Sequence, residues 1–351
     1  MPVITVDDQD NCLHYEDTGI PLDAVALYTT LIIVHGTGFH GQIFRRLIPL
    51  APKHNVRLVL VNRRDYPGSS PYTEEDLSKV RTDDPETHNE FAKARASEFA
   101  RFIKAFIEKE NIPKTSSDWK RGGVVLMAWS SGNGYTLPLL AYIDTIPEAT
   151  RQFIEPYFRS HIAFDAPRWV LGAPPAPDVL KDASLSEEER IRTFSEWVSA
   201  YYSHKSVTSR NFADLQLVPS ESKEPPRKST IASMTPEEIQ ETTHMSAVLN
   251  SEVAGRAAPP AIHAERIRRA LFDDELAKYW PRAGVDVVWC ENSTWVVVDA
   301  VWEFQKAREK ADEKGIVGRP LRIIMMPSAN HFPHWDEPDV TMEFFANIIN
   351  A

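Results

Sequence analysis

The chain has 351 residues and a formal charge of -11, and it gathers no basic cluster, which argues against a nucleic-acid partner. Two cysteines, Cys12 and Cys290, suggest no disulfide framework and suit a reducing compartment. Residues 1–11 lack the basic start and apolar core of a leader, and no apolar run approaches the length of a bilayer span, so the expectation is a cytoplasmic protein without a membrane span.

Short apolar runs at 3–6, 13–15, 31–34, 56–62, 124–129, 161–164, 285–290 and 323–326 give eight strand candidates. The first two are joined by the turn-rich 7–11 and read as antiparallel neighbours. The later runs alternate with helical patterns, the clearest over 86–111, where Phe91, Phe99, Phe102, Ile103, Phe106 and Ile107 recur near helical spacing. Such alternation predicts a mostly parallel sheet covered by helices on both faces. Pro138 falls inside the helix expected after residue 130 and should bend or shorten it.

The interval 177–280 reads differently. Ser186 and Thr235, each followed three residues later by glutamate, are helix starts, and 203–233 is Ser-, Lys- and Pro-rich, as expected of a mobile loop. The organisation expected is therefore a core in two parts, 1–176 and 281–351, with an inserted helical cap over 177–280. The cap aromatics Trp197, Tyr201, Tyr202 and Phe212 are candidates to line an apolar pocket or to pack the cap's own helices.

Candidate chemistry starts at Ala128-Trp129-Ser130-Ser131-Gly132, a small-x-Ser-x-Gly pattern between an apolar strand and a helix. A serine on such a turn projects its hydroxyl out of the backbone, although the same pattern fits a plain helix cap. Upstream, the strand 31–34 runs into His35-Gly36-Thr37-Gly38, a loop able to turn backbone amides toward an oxyanion, with Thr37 and Ser131 as the expected donors. Trp129, directly before the serine, and Gly36 and Gly38 of the upstream loop join Trp197 and Tyr201 as candidate pocket residues. His35 reads as structural, bonded to nearby backbone, and Arg63, Arg64 and Asp65 read as an ion-pair network. Downstream, His331 follows the last strand on a loop and is the candidate general base. His334 makes an H-x-x-H pair with it, but no third ligand cluster is evident, so no metal or cofactor is expected and His334 is assigned to the loop's packing.

On these segments, together with Asn62 to Ser69 after the fourth strand and Asn330, Trp335, Glu337 and Pro338 near the end, the chain resembles the α/β-hydrolase superfamily, and more narrowly fungal serine-nucleophile members of esterase or lactonase type. The resemblance implies a serine nucleophile, Ser130, and a histidine base, His331. It departs from the common pattern at the acid: most relatives carry G-x-x-D after the seventh strand, and here Cys290-Glu291-Asn292-Ser293 puts serine at that place. Some relatives, pancreatic-type lipases and fungal zearalenone lactonases among them, place the acid after the sixth strand, which points to Asp165; Glu291 is the alternative. The activity implied is hydrolysis of a small apolar ester or lactone through an acyl-enzyme. Carbon–carbon cleavage, lyase chemistry or perhydrolysis on the same site remains a second reading, and a small-molecule carrier, motivated by Ser293, a third. Serine at the elbow disfavours epoxide hydrolase or dehalogenase chemistry, which uses aspartate there.

Overall fold

In the computed structural model, residues 2–22, 27–82, 84–177, 179–219, 227–255 and 258–351 are described. All eight expected runs form strands: β1 Val3–Thr5, β2 Cys12–Asp17, β3 Thr29–Val34, β4 Val56–Val61, β5 Val124–Trp129, β6 Phe158–Phe164, β7 Gly284–Cys290 and β8 Leu321–Met326. They make one sheet in the order β1-β2-β4-β3-β5-β6-β7-β8. β1 pairs with β2, and β2 with β4, in antiparallel register; every later pairing is parallel. The sequence therefore winds outward in two directions from β3, and the chain order reverses between β3 and β5. That switch point opens a crevice at the carboxyl ends of the strands, where ligands of open α/β sheets bind.

The central strands β3, β4 and β5 are buried on both faces, which is why they read as continuous apolar runs rather than alternating ones. Alternate residues still separate two cores. Val124, Leu126 and Ala128 face one, with residues of the helices Pro85–Glu110, Pro138–Ala141, Pro260–Leu271 and Trp295–Glu313. Val125, Met127 and Trp129 face the other, with Ile43, Phe44 and Leu47 and with Met342 and Phe345 of the C-terminal helix Pro338–Asn350.

Local signals in the sequence act as expected. Ser186 and Thr235 each close a capping box, with Glu189 and Glu238 returning the bond. Pro138, lacking an amide hydrogen, divides the helix after the fifth strand into Asn133–Thr136 and Pro138–Ala141. Within 203–233 the described residues form only the short turn Phe212–Asp214 and the helix Thr230–Ser233; residues 220–226 of that expected loop lie outside the described residues. The interval 177–280 does not stand over the sheet throughout, because its helix Pro260–Leu271 packs beside Pro138–Ala141 on the first core.

Candidate active site

Strand β5 ends at Trp129, and Ser130 follows with φ +54°, a left-handed conformation that a residue with a Cβ rarely adopts. Such a conformation stores about 1–3 kcal/mol and persists only where neighbours enforce it. Two of them are close backbone approaches: a Cβ on Gly132 would lie 2.4 Å from the His35 carbonyl oxygen, and one on Gly36 would lie 2.9 Å from Ser130 Cβ. Side-chain amide hydrogens of Asn133 then tie the turn shut, donating to the carbonyls of Ala128 at 2.8 Å and Ser130 at 2.9 Å. Asn133 is a contributor that motif reading missed. Its position three residues after the serine resembles an ordinary polar helix residue.

The loop after β3 lies alongside. Thr37 Oγ1 and Ser131 Oγ are hydrogen-bonded at 2.6 Å, joining the two expected oxyanion loops. Behind them, burial first and the Arg63 guanidinium second hold the His35 imidazole well below its ordinary pKa, and as a neutral ring it can donate through Nδ1 and accept through Nε2. Nε2 takes the Arg63 amide at 3.0 Å and Nδ1 bonds the Gly36 carbonyl at 2.9 Å, the structural role expected of it. Of the expected ion-pair group, Arg63 pairs with Glu252 and Arg64 with Glu98 and Asp76, whereas Asp65 enters no ion pair among the described residues and instead receives the Tyr72 amide at 2.7 Å.

Asp165 follows β6, fully buried and at φ +49°. Its Oδ1 accepts the Cys290 amide at 2.7 Å; its Oδ2 accepts Nδ1 of His331 at 2.5 Å and the Ser293 hydroxyl at 2.5 Å. Ser293, standing where the common pattern has an acid, thus donates to the carboxylate that comes from the neighbouring strand. Glu291 points elsewhere: its Oε2 receives the Ser328 amide at 2.8 Å.

Ser130, Ser131, Thr37 and His331 border one cavity of about 600 Å³, within the range of small-molecule sites. Apolar and aromatic side chains dominate the rest of its wall, including Trp169, Trp295, Phe194, Trp197 and Val198. Of the expected pocket residues, Trp197 is there, whereas the six others are turned to different work. Trp129 lies beneath the site, its indole NH donating to the His331 carbonyl at 3.0 Å. Gly36 and Gly38 are covered, against Ser130 and Met245 respectively. Tyr201 gives its hydroxyl to Asp336 at 2.6 Å, beside Thr230, which bonds the same oxygen at 2.7 Å. Tyr202 is buried and stacks on His204; Phe212 packs edge-on against Trp295. His334 sits in an aromatic cage of Phe44, Trp129, Phe164 and Phe332, with both ring nitrogens unpartnered among the described residues.

The Alpha/beta hydrolase family matches residues 31–344, and the chain belongs to that family. Similar solved structures include a protein proposed to be an aryl esterase from Burkholderia cenocepacia (14% identity, TM-score 0.51, covering 99% of this chain and 97% of that one). Cfl2 from the same organism is also similar (14%, 0.52, 99% and 94%), as is a laboratory-evolved variant of the potato epoxide hydrolase StEH1 (12%, 0.51, 99% and 98%). At such identities the likeness concerns the fold. No curated protein matches the chain in sequence. Among the described residues, no helix is long and apolar enough to cross a membrane, and no three His, Cys, Asp or Glu side chains gather as a metal site.

Proposed function

We propose that the protein is a serine hydrolase acting on a small apolar carboxylic ester or lactone. Membership of the hydrolase family supports hydrolysis in general, and one observation carries the finer reading: Asp165 bonds Nδ1 of His331, and His331 and Ser130 border the same cavity. With Nδ1 engaged, Nε2 is the nitrogen left to take the Ser130 proton as the hydroxyl attacks the carbonyl carbon. The negative charge that develops on the carbonyl oxygen is met by the amides of Thr37 and Ser131. His331 then returns the proton to the leaving alkoxide, and a water, activated by the same imidazole, releases the acyl group from Ser130. Asp165 orients the ring and stabilises the imidazolium of each step.

The cavity wall favours an uncharged, aromatic or branched apolar substrate, since three tryptophans approach from three separate segments. In this reading 177–280 contributes a cap, through Phe194, Trp197 and Val198 over the serine. The Asp165 contact favours an enzyme over a carrier, whose motive was a missing acid. Incubation with a fluorophosphonate should label wild-type protein at Ser130 and leave Ser130→Ala unlabelled, and p-nitrophenyl ester turnover should fall at least about 10³-fold in the variant. Full activity in Ser130→Ala would refute the scheme.

A further inference from the structure

Behind the loop after β3 lies a chain of buried polar groups that the reacting set does not use. Arg63 and Tyr66 follow β4, and Glu252 ends the π-turn Val248–Glu252 of the insertion. They are 3%, 2% and 2% exposed. Oε1 of Glu252 pairs with Nη2 of Arg63 and accepts the Tyr66 hydroxyl at 2.7 Å. The Tyr66 oxygen in turn accepts the Gly38 amide at 2.9 Å. Arg63 also donates to the carbonyls of Gly36 at 2.8 Å and His35 at 3.2 Å. From the insertion, the His244 amide donates to the Gly38 carbonyl at 2.7 Å, and the Thr242 carbonyl receives the His40 amide at 3.0 Å.

The loop is thus fastened on either side of Thr37, while the Thr37 amide itself has no acceptor among the described residues. A buried ion pair is a weak source of stability, because desolvation of both charges offsets their attraction. What such a chain does supply is orientation. An oxyanion donor is effective only when it is aimed before the charge develops, so that nothing reorganises during the reaction. Burial pulls the Arg63 guanidinium toward neutrality, but Glu252 and the rings of Tyr66 and Tyr135 outweigh it and hold the proton firmly.

We propose that Glu252 and Tyr66 are positioning residues for the oxyanion loop. Glu252, supplied by the insertion, orients the Tyr66 hydroxyl so that its lone pair takes the Gly38 amide, and this leaves the Thr37 amide as the one presented to the substrate carbonyl. Neither residue touches substrate. The insertion would then complete the reacting site rather than only cover it. The inference rests on the ester-hydrolase reading above.

Tyr66→Phe keeps the ring and the Arg63–Glu252 pair but removes the acceptor for Gly38; Glu252→Gln keeps the acceptor for Tyr66 and removes the charge. For the full chain acting on p-nitrophenyl butyrate, Tyr66→Phe is expected to lower kcat about 10- to 100-fold, below the full loss of one oxyanion donor, with KM within about twofold. Affinity for n-butylboronic acid, which forms a tetrahedral adduct on the serine, should fall in parallel with kcat/KM, and Glu252→Gln should move both in the same direction. Wild-type kcat and boronate affinity in Tyr66→Phe would overturn the inference, as would a kcat loss with boronate affinity unchanged, whether or not Glu252→Gln folds. The ester-hydrolase reading fails separately, and takes this inference with it, if wild-type protein is neither labelled by fluorophosphonate nor inhibited by the boronate.

Discussion

Oδ2 of Asp165 receives two hydrogen bonds of 2.5 Å, one from Nδ1 of His331 and one from the hydroxyl of Ser293. The serine comes from the loop after β7, the aspartate from the loop after β6, and the parallel pairing of those strands sets the two loops side by side. Ser293 therefore supports the carboxylate instead of replacing it. A hydrogen bond to a carboxylate is worth about 1.5–3 kcal/mol, and part of that support would be lost from the protonated-histidine transition state. Ser293→Ala is expected to lower kcat about tenfold with little change in KM, measured on p-nitrophenyl butyrate. A change below twofold would show that the Cys290 amide alone holds Asp165 in place.

The two candidate acids separate cleanly by substitution. Asparagine tolerates the left-handed backbone at 165 and keeps the acceptor oxygen, but its amide presents the wrong partner to Nδ1 and favours the unproductive tautomer. Asp165→Asn should drop kcat by about 10³- to 10⁴-fold while near-ultraviolet circular dichroism stays native. Glu291→Gln should keep kcat within about twofold, since its carboxylate is occupied with the Ser328 amide. The opposite ranking would reassign the acid to Glu291.

How far the sequence could be read depended on how local each cause is. Eight apolar runs and two capping boxes depend on neighbours in sequence, and they appear where periodicity and composition put them. The pairing of Asp165 with Ser293 joins residues 128 positions apart, and only strand order brings them together. Pocket residues were the least legible. Trp129 precedes the serine but faces the second core because strand side chains alternate, and Tyr201 turns to Asp336 through a buried polar cluster that also holds Asn330 and Thr230. Glu252 lies in a stretch without a motif, 189 residues from its Arg63 partner.

A glycine sets one wall of the cavity. A Cβ on Gly134, in the helix after the serine, would lie 2.4 Å from the Trp169 ring, so the indole must shift if alanine is placed there. Trp169 is held on its other side by His263, with ring centroids 5.0 Å apart, and lines the cavity. Displacement therefore falls on the substrate space. Gly134→Ala should raise KM for 1-naphthyl butyrate by about three- to tenfold, the scale of burying one methylene, and leave p-nitrophenyl acetate nearly unaffected. Equal effects on both esters would place the change in the serine turn rather than in the wall.

Buried histidines predict how stability depends on pH. Burial is the main force lowering five of them: His40 to about 4, His161 and His263 to about 3, and His35 and His334 well below 6.5. Unfolding returns each to about 6.5, so between that value and the depressed ones the unfolded chain binds more protons, and stability rises with pH across the window. Above about pH 7 this contribution is fully present; below 6.5 it is lost progressively, by up to about 1.4 kcal/mol per pH unit for each histidine. Urea titrations should accordingly give a nearly constant unfolding free energy from pH 7 to 8 and a steep fall from 6.5 to 5, with carboxylates adding to the loss only at lower pH. His334 offers a direct check, because its cage is aromatic and its ring nitrogens have no partner among the described residues. His334→Phe should reduce the proton uptake on unfolding at pH 5.5 by about one and move the acid midpoint downward. An unchanged proton uptake would mean that His334 is protonated in the folded protein.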